Sequence, residues 1–293
     1  MLNYQNICDG VSECLVKAGS SYRPDQLEAF TAAIEKETHP NARWALEKLL
    51  ENALAANKNS SPLCDDTGIP HLFAEIGEEA LLPTAWLSAI HAGVAQGLRM
   101  LPGRPMAVQG NDVERVEQSK GLSSDPGDIL PVPVICKPVK GDQLTVTVLL
   151  QGGGPEIRAK THRVFHKRSI DTVLGESAAW MAAEVKNLGC TPTVLAIGIG
   201  RSHAEASIRM LEAMAGGDLR IQSEWEEKIT SVVNAEKTGA IGLGGDVSAL
   251  GTFLRIGPLR ASGIRVVCAR PCCCVEPRRA SVSFLQDGTL SLS

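Results

Sequence analysis

The sequence predicts an α+β fold: a helical N-terminal part over about residues 1–100 packed on a smaller mixed-sheet part over about 130–293, all in one domain of 1–293. Three observations carry this. Apolar residues recur at helical spacing through the first sixty positions. Gln143–Leu150 alternates strictly, with Leu144, Val146, Val148 and Leu150 on one face of a strand. From Thr193 onward a buried strand, a glycine turn and a helix follow one another.

Taken in order, Ile7–Ala18 has helical periodicity, and Pro24 opens a second helix ending near Lys36. Asn41 is the expected cap of a third, over Ala42 to about Ala56. Pro83–Met100 is a fourth, stopped by Pro102-Gly103. Residues 102–142 are rich in Pro, Gly, Asp and Ser, and read as irregular apart from a short strand near Val132–Cys136. The strand at Gln143–Leu150 runs into Gln151-Gly152-Gly153-Gly154-Pro155-Glu156, where glycines let backbone approach a ligand. Ile170–Leu188 is helical and delivers Gly189-Cys190. Thr193–Ile199 is a strand, His203–Met214 a helix, and Trp225–Val233 another. Gly198-Ile199-Gly200 serves either a tight turn or an anion site at the helix start. Gly239–Gly245 is a second glycine loop, and Ile264–Val267 and Ser281–Phe284 are strands.

The 293 residues carry 44% hydrophobic and 21% charged side chains and a net charge of −4. That is enough apolar matter for a real core. It includes no basic block for nucleic acid. No stretch reaches the ~18 apolar residues of a membrane span, and no basic-then-apolar leader opens the chain. A cytoplasmic protein is expected, with neither nucleic acid nor membrane as partner.

Nine cysteines are many for a chain of this size, and the odd number argues against a disulfide framework. Cys8, Cys14, Cys136 and Cys268 have apolar neighbours and are expected in the core. The others lie in three distant segments beside turn-forming or charged residues. These are Ser61-Pro62-Leu63-Cys64-Asp65-Asp66-Thr67-Gly68, Gly189-Cys190-Thr191-Pro192, and Pro271-Cys272-Cys273-Cys274 before Arg278-Arg279. Thiolates converging from separate loops can hold an iron–sulfur cluster and leave one iron open as a Lewis acid. His162 and His166, four apart, lack the acidic partner of a zinc motif and read as part of a basic face with Lys160, Arg163 and Lys167.

Cys64-Asp65-Asp66-Thr67-Gly68 resembles the Cys-Gln-Asp-Thr-Gly signature of iron–sulfur hydro-lyase α regions, the class I fumarase and L-tartrate dehydratase family. Gly152-Gly153-Gly154-Pro155-Glu156 is similar to its triple-glycine segment, and Cys190-Thr191-Pro192 with Gly198-Ile199-Gly200 to its Cys-Pro-Pro and Gly-x-Gly-Gly pair. Gly242-Leu243-Gly244-Gly245 with Ser248-Ala249-Leu250 resembles its Gly-Leu-Gly-Gly stretch, and Cys274, four residues before Arg278, its third ligand.

The resemblance implies a [4Fe-4S] cluster with one open iron, held by Cys64, Cys190 and Cys274, with Cys272 and Cys273 as alternatives for the last. It implies reversible dehydration of a small hydroxy-dicarboxylic acid. Asp66 and Thr67 would be catalytic, with Asp66 orienting or protonating the departing oxygen. Against this stands the reading that both residues only build a turn. Asp65, Arg104, Gly152, Gly153, Gly154 and Arg201 would contact substrate, Arg104 by gripping a carboxylate bidentately.

The chain departs from the family at Gln151, Asp65, Pro155, Ile157 and Arg201-Ser202, and no histidine stands near Leu259 or Arg260. These changes move charge around the presumed pocket and point to a hydroxy acid other than malate. The alternative is a diverged paralogue that binds a cluster or metal with a different substrate or in a redox-sensing, non-hydratase role. The family's smaller β (swivelling) domain has no counterpart here, so a separate β subunit is expected to complete the site. A homodimer or heterotetramer follows from the same resemblance.

Overall fold

The computed structural model describes residues 2–101, 103–104 and 106–293, so the helix stop assigned to Pro102 lies outside the described residues. The helices are α1 (Tyr4–Ser20), α2 (Pro24–Lys36), α3 (Pro40–Asn59), α4 (Trp86–Met100), α5 (Asp112–Glu117), α6 (Gly153–Glu156), α7 (Ile170–Val185), α8 (His203–Gly216) and α9 (Glu224–Asn234). The strands are β1 (Ile69–Gly77), β2 (Ile135–Val139), β3 (Leu144–Gln151), β4 (Lys160–Phe165), β5 (Thr193–Gly200), β6 (Ala249–Ile256), β7 (Ile264–Pro271), β8 (Arg278–Phe284) and β9 (Leu290–Leu292). Helices and two mixed sheets agree with the expected α+β class.

The chain forms two compact units. One comprises Met1–Ser21, Ala53–Gly152 and Arg278–Ser293, and the other Tyr22–Asn52 and Gly153–Pro277. No helix among the described residues is long and apolar enough to cross a membrane.

The first unit holds a five-stranded sheet in the order β2-β1-β3-β8-β9, parallel only between β1 and β2. Helix α1 starts at Asn3, whose side chain accepts from the Asn6 N–H in a capping box. Its face Ile7, Val11, Leu15 and Ala18 packs with Ile90, Val94 and Leu98 of α4 over Val146, Val148 and Val282. Burying each large aliphatic side chain contributes ~1.5–3 kcal/mol. The interior strand β1 was not read from the sequence. It carries Pro70 at its second position and a burial pattern that does not alternate. Its place comes from pairing with strands some sixty to eighty positions distant.

Cys136 is exposed, which corrects its expected place in the core. It lies on β2, an edge strand whose middle positions face solvent, so an apolar neighbourhood in sequence did not mean burial.

The second unit holds a four-stranded sheet in the order β4-β7-β5-β6, with β5 and β6 parallel. Every residue of β5 is buried, as a strand covered on both faces requires. Leu195, Ile197 and Ile199 join Val173, Met181, Ile229 and Val233 of α7 and α9 in one core. The alternate residues Gly198 and Gly200 face α8. The third helix starts at Pro40 and not after Asn41, because proline suits the first helical position, where its missing N–H costs nothing.

Candidate functional site

In the first unit, three chain segments meet at one end of the sheet. The Cys64–Gly68 loop enters β1, β3 leaves toward Gly152, and β8 begins at Arg278. Ile69 pairs with Gln151 and Leu150 with Arg278. Leu63, buried, anchors the loop by donating its N–H to the Gly19 carbonyl. Asp66 Oδ1 accepts from the Gly68 N–H at 3.0 Å, closing a turn. Arg278 is 2% exposed and donates to the Asp66 carbonyl at 2.6 Å. The double arginine therefore divides its roles: Arg278 is an internal staple of the cysteine loop and not a surface charge. Thr67 is buried against Gly103.

Gly68 has φ +81°. A Cβ there would lie 2.7 Å from Arg278 Nη2 and 2.8 Å from the Gln151 carbonyl. Glycine is thus required both by backbone conformation and by close approach.

Cys64 is half-buried and donates its thiol to Asp65 Oδ1 at 3.4 Å. Burial pushes this thiol above its ordinary range, against the pull of the Asp66 backbone and Arg278. The Cys64 hydrogen bond and then the Arg104 guanidinium hold the Asp65 carboxyl below its ordinary range. Arg104 Nη1 stands 3.5 Å from Asp65 Oδ2, and its N–H reaches the Asp65 carbonyl. The first unit thus brings Cys64, Asp65, Asp66, Thr67 and Arg104 together, with Gly152 leaving the strand paired to theirs.

In the second unit, Cys190 is exposed on the turn after α7. The next residue, Thr191, is fully buried. Its Oγ1 donates to the Gly239 carbonyl at 2.5 Å and accepts from the Gly242 N–H at 3.3 Å. Ile241 N–H bonds the Thr191 carbonyl. The cysteine turn and the Gly239–Gly245 loop, separate in sequence, are one hydrogen-bonded assembly. Glu37 supports it from beneath: its buried carboxylate accepts from the N–H groups of His39, Asp246 and Val247. No sequence signal marked Glu37, since the loop residues it braces, Asp246 and Val247, lie some 200 positions away.

The triple cysteine occupies the connection after β7. Cys272 is fully buried, and burial pushes its thiol strongly upward. The Cys272 N–H joins the sheet by donating to the Val194 carbonyl, and the Cys272 carbonyl accepts from Thr193 Oγ1 at 2.5 Å. Cys273 and Cys274 are partly exposed, and Tyr22 Oη donates to the Cys274 carbonyl at 2.9 Å.

Arg270, completely buried, binds both Glu276 carboxylate oxygens at 3.1 Å through Nη2, and Glu156 through Nη1. One guanidinium thereby ties the Gly153–Glu156 turn to the cysteine connection. Arg270 and Glu276 escaped sequence reasoning. Their only signal was a charged pair bracketing the cysteines.

Gly153 and Gly154 open α6, and a Cβ on Gly154 would meet open space. Packing does not explain that glycine. At Gly198 a Cβ would lie 2.1 Å from the Met210 nitrogen, so this position serves close strand–helix packing and not an anion. Arg201 follows β5, whereas Cys190 precedes it. The two stand at opposite ends of that strand, and Arg201 is paired with Glu205 at 2.9 Å. His162 and His166 do not form a metal face. His162 packs edge-on against Trp180, while His166 uses both ring nitrogens on Ser262 and Arg168 backbone.

Within either unit, the described residues include no group of three His, Cys, Asp or Glu side chains placed to hold a metal ion. The thiols named from the resemblance are divided between the units, Cys64 in the first and Cys190 and Cys274 in the second. By donor chemistry they suit an iron–sulfur group. All three are thiols on loops with access to solvent, unlike buried Cys8, Cys14, Cys268 and Cys272.

Loops bearing thiols, carboxylates and arginine on an α+β scaffold are the chemistry this chain presents. The family model described as fumarate hydratase (Fumerase) matches residues 9–283, and the chain belongs to that family. A protein of Methanocaldococcus jannaschii named "Putative L(+)-tartrate dehydratase subunit alpha" is 25% identical over 297 residues, covering 97% of this chain and 99% of that one. The resemblance carried by the cysteine and glycine segments is borne out at the level of family.

Proposed function

We propose that this chain is the α subunit of a [4Fe-4S]-dependent hydro-lyase that reversibly dehydrates a small hydroxy-dicarboxylic acid, with a separate β subunit completing the site. The observation that carries the reading is the Cys64 loop. A partly buried thiol and two carboxylates share one turn, the Arg104 guanidinium stands beside it, and the buried Arg278 holds that turn in place.

Cys64, Cys190 and Cys274 would hold the cluster. Burial of Cys272 favours its two neighbours for the third ligand and speaks against a redox sensor at Cys272. When bound, the cluster supplies a Lewis acid that makes hydroxide a workable leaving group. The chain's own residues would bind and orient the substrate, and the base that takes the carbon-bound proton falls to the completed site. Arg104 takes a substrate carboxylate, exchanging its long contact with exposed Asp65 for a bidentate one. Asp66, its Oδ1 fixed by the Gly68 N–H, would orient the departing oxygen, or protonate it when it carries a proton itself. The Gly152–Gly154 backbone would meet the other carboxylate, in keeping with a glycine at 154 that packing leaves open.

Anaerobic reconstitution with iron and sulfide, followed by Mössbauer and EPR spectroscopy, tests this reading. A four-iron cluster with one distinct iron, perturbed by a hydroxy-dicarboxylic acid, is the expected result. A single bound zinc would sink it. The chain alone is expected to be inactive on L-malate and L-tartrate, and full turnover without any partner would remove the β subunit from the proposal.

Gly154→Ala is expected to leave stability within about 1 kcal/mol of the parent, because the site is open and φ is ordinary. It should nevertheless raise KM in the assembled enzyme. Unchanged KM would return this glycine to a structural role.

A further inference from the structure

A feature of the second unit lies away from the cysteine loops. Two cavities, of about 340 and 230 Å³, open at the carboxyl ends of the parallel pair β5–β6 and share Leu259 and Arg265 in their walls. Open sheets bind ligands at this end of their strands. Cys190 precedes the other end of β5, about 23 Å away along eight residues at ~3.3 Å each.

The larger cavity has an apolar wall of Ile170, Val173, Ile199 and Ile256, with Val173 and Ile199 buried at its base and Ile170 and Ile256 exposed at its sides. Its mouth carries Arg168 and Arg265, and the smaller cavity adds Arg201 and Arg260. No acidic residue lines either cavity among the described residues. Glu205 neutralises Arg201, so the uncompensated charge falls on the other three. An apolar pocket with a few convergent polar groups is the usual form of a small-molecule site.

The mouth is held in shape at some cost. Lys167 and Arg168 both have positive φ, +46° and +58°, a conformation rare for non-glycine residues. His166 secures that turn. Its Nδ1 accepts from the Arg168 N–H at 2.9 Å, which leaves Nε2–H to donate to the Ser262 carbonyl at 2.8 Å. The His166 N–H also reaches the Gly263 carbonyl. Arg265 Nη1 is positioned by the carbonyls of Ser262 and Ile264. A strained turn bearing one arginine is thus pinned to a loop bearing two more.

From this we infer that the paired cavities bind a small organic anion with an apolar body and a carboxylate or phosphate head. The body fills the Ile170–Ile256 cavity and the head meets Arg260 and Arg265. The site is independent of the cysteine loops and is suited to an effector.

Calorimetric titration of the full chain with phenyl phosphate and phenylacetate tests this, and the pair separates the two head groups. Binding of at least one is expected, at least tenfold tighter than inorganic phosphate or benzyl alcohol, which are the two halves of the ligand. Arg260→Glu and Leu259→Glu change exposed side chains, so folding, checked by circular dichroism, should be kept. Each should weaken binding at least tenfold, while Cys190→Ser leaves it unchanged. The inference is overturned if neither probe binds, if inorganic phosphate binds equally well, or if binding survives both cavity variants. Loss of binding in Cys190→Ser with retention in Arg260→Glu would place the ligand at the cysteines and overturn it equally.

Discussion

Arg270→Met is expected to destabilise the protein by about 3–5 kcal/mol, read as a fall in the urea midpoint of the second unit. Arg270 and the Glu276 side chain are both fully buried. Methionine fills much of the volume but leaves the Glu276 carboxylate without its cation, and an unpaired buried charge is among the costliest defects in a protein interior. Glu276→Leu should cost a similar amount by stranding the guanidinium. The double variant Arg270→Met with Glu276→Leu should be more stable than either single variant, because it removes both charges at once. Glu156 also binds Arg270 but is 58% exposed, so Glu156→Gln should cost under about 1 kcal/mol. Equal losses from Glu156→Gln and Arg270→Met would refute the view that desolvation sets the scale here. Iron incorporation should fall in Arg270→Met, since the guanidinium positions the connection that carries Cys273 and Cys274.

Gly68→Ala is expected to cost about 2–4 kcal/mol, from the left-handed backbone and from overpacking together. The new Cβ meets the Gln151 backbone, which cannot move without disturbing the β1–β3 ladder, and Arg278, which holds the Asp66 carbonyl. The damage should be local. The Cys64 turn loosens, while the second unit keeps its midpoint. Faster alkylation of Cys64 by iodoacetamide would report the loosening, and an unchanged rate together with an unchanged midpoint would show that the turn tolerates a side chain.

Much of the secondary structure was legible because local periodicity and capping dictate it. The Pro24–Lys36 helix has the bounds read from its proline and apolar spacing, and β3 and β5 lie within one residue of their expected bounds. Strands β1, β4 and β6 were not legible. Lys160–Phe165, for example, was read as a basic face with histidines four apart. It is a strand because β7, a hundred residues later, pairs with it. Pairing partners at such distances leave no trace in a local window.

The site divides in the same way. Which residue types gather around the cysteines, their order along the chain and hence the family were decided by the sequence alone, because turns and thiol-bearing loops have short-range signatures. Which cysteine of Cys272–Cys274 faces the core, which of Arg278 and Arg279 turns inward, and how Arg270 and Glu37 brace the loops were decided only by the tertiary structure. Burial and charge pairing depend on neighbours that folding brings from far along the chain. The same letters in a row can therefore hold one thiol inside a sheet and present the next two to solvent.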